Sequence, residues 1–172
     1  MESKNLKNVK GWEFCDWEAF PKNQKGHVEL IRQLKKIVRE KYGLKILKFD
    51  KKEAYIAARY KLKKSIIYVP LVPDLIITDS EKLEDRIFIE YVNTPGGNLK
   101  NFLRDLRGIL ALSSVIKNSR GFVLAVRDSF YRNYTFELPS NSPANIMSIK
   151  SLLYALDIKN LDYLVGRTPL RE

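Results

Sequence analysis

Two short runs, "DLIITD" and "RIFIEYV", parted by the polar stretch "SEKLED", constrain this chain more than any other feature. Each is apolar at nearly every position rather than at alternate ones, the pattern of a strand covered on both faces. A sheet centred on such strands needs helices on each side, so the flanking segments have to supply them.

They do. Residues 27–42, "HVELIRQLKKIVREKY", set Val28, Ile31, Leu34, Ile37 and Val38 at helical spacing with a basic opposite side, and Gly43 closes the helix. "LKILKFD" reads as a strand, and "YIAARYKLKKSIIYVP" as a longer strand or hairpin. After the loop "NTPGGN", Asn98 is placed to cap a helix from Leu99 to Val115, and "GFVLAVRD" reads as a fourth strand. The stretch "SFYRNYTFELPSNSPAN" reads as a polar loop, followed by a last helix from about Asn145 over "IMSIKSLLYAL". The expected fold is a mixed α/β domain, with the first 25 residues as an aromatic arm in which Trp12, Trp17 and Phe20 serve the core or a dimer contact.

Charge bears on partners. The 172 residues carry 31 Lys and Arg against 20 Asp and Glu, a net +11, which favours a polyanion such as nucleic acid. No apolar run approaches the ~18 residues of a spanning helix, and "MESKNLKNVKGWEF" has no apolar core, so the expectation is an intracellular, cytoplasmic protein with no membrane association. A single Cys15 and a single His27 exclude a Cys/His zinc site, leaving carboxylates as the ligands of any metal and Mg²⁺ or Mn²⁺ as the ion. His27, opening the first helix, reads as a surface or cap residue.

Two acids stand in the apolar runs. Asp74 follows Pro73 at the start of one central strand and Glu90 lies near the end of the next, where adjacent strands can bring them within a few ångströms. A buried carboxylate without partners costs several kcal/mol, roughly, so two together would bind a cation or share a proton. The plainer alternative is that Asp74 caps a turn and Glu90 pairs with a nearby Arg or Lys.

The layout resembles the PD-(D/E)xK nuclease superfamily, which includes many restriction enzymes and the archaeal Holliday-junction resolvases. The matching pieces lie between residues 26 and 127: Glu29 in "GHVELI", Pro73 and Asp74 in "VPDLII", and Glu90 in "IFIEYV". The resemblance implies a restriction-endonuclease-like mixed central sheet flanked by helices, and a nuclease-like domain over residues 1–172 with an arm (1–25), a core (26–127) and a C-terminal loop and helix (128–172). It implies a metal-dependent DNA endonuclease acting on duplex or branched DNA. Asp74, Glu90 and the Tyr91 carbonyl would hold the metal, and Glu29 would assist from the first helix.

The family pattern places a lysine two residues after the acid, because strand side chains alternate and only that spacing returns to the same face. Here the position is Val92. Asn93 would point to the other face unless a bulge intervenes; Lys100 in the following helix and Lys63 in the basic strand are the candidate replacements. Otherwise the chain is an inactive nucleic-acid-binding protein on the same fold. For backbone contacts the sequence offers Arg59, Lys61 and Lys63 on one strand face, Arg104 and Arg107 on the second helix, and Arg132 in the aromatic loop, where Phe130 and Tyr134 either stack on bases or pack on the core. Arg104 and Arg107 have a surface ion pair with Asp105 or Glu84 as their alternative. The apolar tail "LLYALDIKNLDYLV" suits internal packing or a homodimer.

Overall fold

A computed structural model describes residues 24–49, 58–62, 65–69, 72–92, 99–133 and 144–166, with backbone and register alone for 58–62 and 65–69. The arm with its tryptophans, Lys63, Asn93, Asn98 and Tyr134 lie outside the described residues.

Helix α1 (Gln24–Glu40) buries Leu30, Ile31, Leu34, Ile37 and Val38. Val28, read from the sequence as part of that stripe, is instead 56% exposed, because Leu30 takes the inward position. Beyond Glu40 the chain turns away at Gly43, whose φ of +64° is open to glycine without steric cost, and the turn returns Leu44 N to Val38 O at 3.0 Å. Strand β1 (Lys45–Ile46) is much shorter than "LKILKFD" suggests. Strands β2 (Ala58–Leu62) and β3 (Ser65–Val69) form a separate antiparallel hairpin.

The two apolar runs become β4 (Leu75–Thr78) and β5 (Ile87–Val92), and every residue in both is buried. Between them is one turn of 3₁₀ helix (Leu83–Asp85), steadied by a hydrogen bond from Ser80 Oγ to Asp85. Helix α2 (Leu99–Val115) crosses to β6 (Gly121–Val126), which lies parallel to β5. The sheet order is β1-β4-β5-β6 and then β7 (Ala144–Ser148); the β1, β4 and β5 pairings are antiparallel and the rest parallel.

Two segments depart from the sequence reading. Residues 129–133, which read as loop in the sequence, form helix α3 together with Asp128 (Asp128–Asn133), and its Phe130 is fully buried. "ANIMS", taken as the start of a helix, is the fifth strand: β7 buries Ala144, Ile146, Met147 and Ser148 against β6. The helical part, α4 (Ile149–Asp157), begins only after Ser148, whose side chain accepts from Ser151 N as an N-cap. A short α5 (Leu161–Leu164) follows, tied down by the Asn145 amide on Tyr163 O and Leu164 O.

Period-two alternation sorts the strands' side chains between two cores. Ile77, Ile87, Ile89 and Tyr91 face α1 and α4, while Ile76, Phe88 and Val92 face α2 and α3. At about 1.5–3 kcal/mol for each large side chain removed from water, both layers draw substantial stabilisation from this central pair of strands. Among the described residues, no helix is long and apolar enough to cross a membrane.

Candidate functional site

The β4–β5 register fixes the acids. Leu75 pairs with Ile89, and one step further along the antiparallel pair Asp74 comes opposite Glu90 on the sheet face under α2. Side chains take over from the main-chain ladder at this point. Asp74 N donates to Glu90 Oε2 at 3.2 Å, and Tyr91 N donates to Asp74 Oδ2 at 2.8 Å. The carboxyls are therefore immediate neighbours, as the sequence anticipates, at the end of the sheet where α/β folds place their ligands.

Two further groups converge from the helices. His27 Nε2 sits 3.0 Å from Asp74 Oδ1, with its ring tilted against Tyr91 at a centroid separation of 5.8 Å. The nitrogen donates its N–H and the carboxyl oxygen accepts, the direction in which this bond favours protonated His27. The hydrogen bond to Asp74 raises the proton affinity of His27, burial opposes it, and the negative charges of Asp74 and Asp105 reinforce it. Asp105 approaches from α2; burial pushes its carboxyl up, while Arg104, whose Nε lies 3.2 Å from Oδ1, pulls it back.

Glu90, only 8% exposed, feels all of this most strongly. Burial, then the charges of Asp74 and Asp105, push its carboxyl up to about 10, against the smaller opposing effect of the Asp74 N–H. Glu90 thus holds a proton at neutral pH where no cation is bound, which is the shared-proton alternative for a crowded carboxylate pair.

The other expected site residues fall elsewhere. Glu29 turns its carboxylate to Arg32, at 3.0 and 2.6 Å, and to the Gln33 amide at 2.9 Å. Lys100 is exposed and lies about 140° around α2 from Asp105; Arg107 is exposed and about 200° around. Arg104 takes the ion pair with Asp105. Arg59 and Lys61 lie on β2 of the hairpin, opposite Tyr68 and Ile66 of β3, and Arg132 lies on α3. Val92 is 2% exposed and belongs to the apolar cluster with Phe88, Phe102 and Ile109. Its side chain occupies core, not cavity.

His27 is not the surface or cap residue that its place in the sequence suggests, since it is largely covered and bonded to Asp74, and both it and Asp105 carry a signal in the sequence. His27 continues the stripe Ile31, Leu34 and Val38 at i, i+4, i+7 and i+11, and Asp105 falls within the stripe Phe102, Ile109 and Leu112. A polar residue on an inward helical stripe, near the end of a sheet bearing acids, is where to look for a partner.

Among the described residues, no three or more His, Cys, Asp or Glu side chains gather closely enough to coordinate an ion by themselves. Asp74 and Glu90 nonetheless suit Mg²⁺, which takes one or two carboxylates and completes its octahedron with water and substrate phosphate oxygens. The Tyr91 carbonyl projects to the same strand edge as its N–H, toward Asp74, as the pleat of an extended strand requires. No family model, curated protein or solved structure matches this chain.

Proposed function

We propose that this protein is a metal-dependent nuclease that hydrolyses DNA phosphodiester bonds at the Asp74–Glu90 pair, on a restriction-endonuclease-like sheet. The observation that carries the reading is the pairing of the two acids across β4 and β5, with Glu90 kept protonated by burial and by the neighbouring charges of Asp74 and Asp105. The element order supports it: a helix, three antiparallel strands in the sheet, a helix, then a parallel strand. So does the net charge of +11.

In this reading Asp74, Glu90 and the Tyr91 carbonyl hold Mg²⁺ or Mn²⁺. A carboxylate-bound divalent ion supplies a hydroxide nucleophile at neutral pH and offsets charge on the phosphoryl oxygens. Glu90 gives up its proton on binding. His27 fixes the orientation of Asp74 through Oδ1, while the Tyr91 N–H fixes it through Oδ2. Asp105 adds negative charge from α2, favouring a cation between the helix and the strands.

A second reading, a nucleic-acid-binding protein that does not cut, draws on Val92, since the family's lysine position is here part of the core. Plasmid and branched DNA incubated with the protein and Mg²⁺ or Mn²⁺ separate the two. The first reading expects cleavage that Asp74→Asn and Glu90→Gln abolish. Salt-sensitive binding with no cleavage by the wild type supports the second, and cleavage surviving both substitutions removes the assigned site.

A further inference from the structure

A cleft of about 460 Å³ opens beside the acid pair, between α1 and the segment leading into β4. His27 and Asp74 line one end of it, and Arg32 and Lys35 stand along its helical side. Val28 and Val72, 56% and 61% exposed, flank it together with Pro73. This combination is unusual for a solvated helix face: apolar walls left open to water, two cations three residues apart, and a carboxylate at one end.

From this geometry we infer that the cleft is the track of a DNA strand, with Arg32 and Lys35 holding the phosphates next to the one placed at Asp74 and Glu90. The inference rests on the nuclease reading and deepens it. From His27 to Lys35 the helix rises about 12 Å. Successive nucleotides of one strand advance about 3.4 Å along the axis of B-DNA, so a stripe lying parallel to that axis spans three or four of them. The two exposed valines present hydrophobic surface to the sugar edges between phosphates. Arg32 is held by Glu29 through Nε and Nη2, which leaves three of its five N–H donors for a phosphate. No base edge is read by these contacts, so the affinity they add is independent of sequence.

The test measures the salt dependence of binding to a short fluorescein-labelled DNA duplex, with EDTA present so that nothing is cut. Each phosphate contact contributes about 0.9 to the slope of log affinity against log salt. Replacing Arg32 and Lys35 together by Gln should flatten the slope by about 1.8. Lys35→Arg should leave it unchanged. A control pair, Lys82→Gln with Lys117→Gln, lies at the other end of the sheet and should have little effect. A slope preserved in the Arg32/Lys35 variant, or reduced equally in the control, overturns the cleft assignment while leaving the nuclease reading intact. A wild type that binds no DNA removes the nuclease reading, and the cleft assignment falls with it.

Discussion

The main-chain N–H of Asp74 donates to Glu90 Oε2 across 3.2 Å, so the two carboxyls are brought together by the strand pairing itself and not by chance proximity of loops. The energetic consequence is a proton on Glu90, and it can be measured.

Glu90 has a proton affinity raised above its unfolded value, so the unfolded chain ionises first as pH rises. Stability is therefore greatest below the ordinary glutamate pKa of about 4.5 and declines above it, until the folded-state pKa is passed. Glu90→Gln removes that loss. Denaturant unfolding across about pH 5 to 8 should show the variant gaining on the wild type, with a limiting slope near 1.4 kcal/mol per pH unit. His27, also raised, contributes stability that is present below about 6.5 and lost as pH climbs through its folded value, in both proteins alike. Parallel profiles for wild type and variant would refute the protonated Glu90.

Divalent cations should stabilise the fold. Mg²⁺ or Mn²⁺ at about one hundred times its dissociation constant adds about 2.7 kcal/mol, visible as a rise in melting temperature. Because Glu90 must lose its proton, the rise should grow with pH and be accompanied by proton release. Asp74→Asn should lose it; an equal shift in wild type and variant would place the ion elsewhere.

Val92→Lys should not create activity. Its side chain would enter the cluster of Phe88, Phe102 and Ile109, where a lysine without partners costs on the order of 3 kcal/mol or more. Chemical denaturation should find it well below Val92→Ala in stability. A stable Val92→Lys protein that cuts faster than wild type would show that the position opens on the site.

His27→Ala should weaken metal binding by roughly 10- to 100-fold, the usual effect of removing a hydrogen-bond partner of a ligand. Isothermal titration with Mn²⁺ reads this directly, and unchanged affinity would show that Tyr91 N–H alone orients Asp74.

The central strands and both long helices were legible because burial on two faces, and on one stripe, leaves unmistakable periodicities. Asp74 and Glu90 were legible for the same reason, as charges where the pattern demands apolar residues. β7 was not, since "ANIMS" runs into "IKSLLYAL" without a polar break and only the Ser148 cap marks the change of period. His27 and Asp105 were hidden by their places near helix starts and beside Arg104, where a surface role reads equally well. Pairing across elements distant in sequence decided their roles, and local pattern carries no trace of that.

The hydrogen bonds linking Asp74, Glu90 and Tyr91 continue the join between β4 and β5 past the point where their regular pairing ends at Leu75 and Ile89. The acids thus act as a latch against fraying, so the chemistry and the mechanical integrity of this sheet edge share the same atoms. Whatever loosens the latch loosens both, and evolution cannot retire the site without finding the strands another clasp.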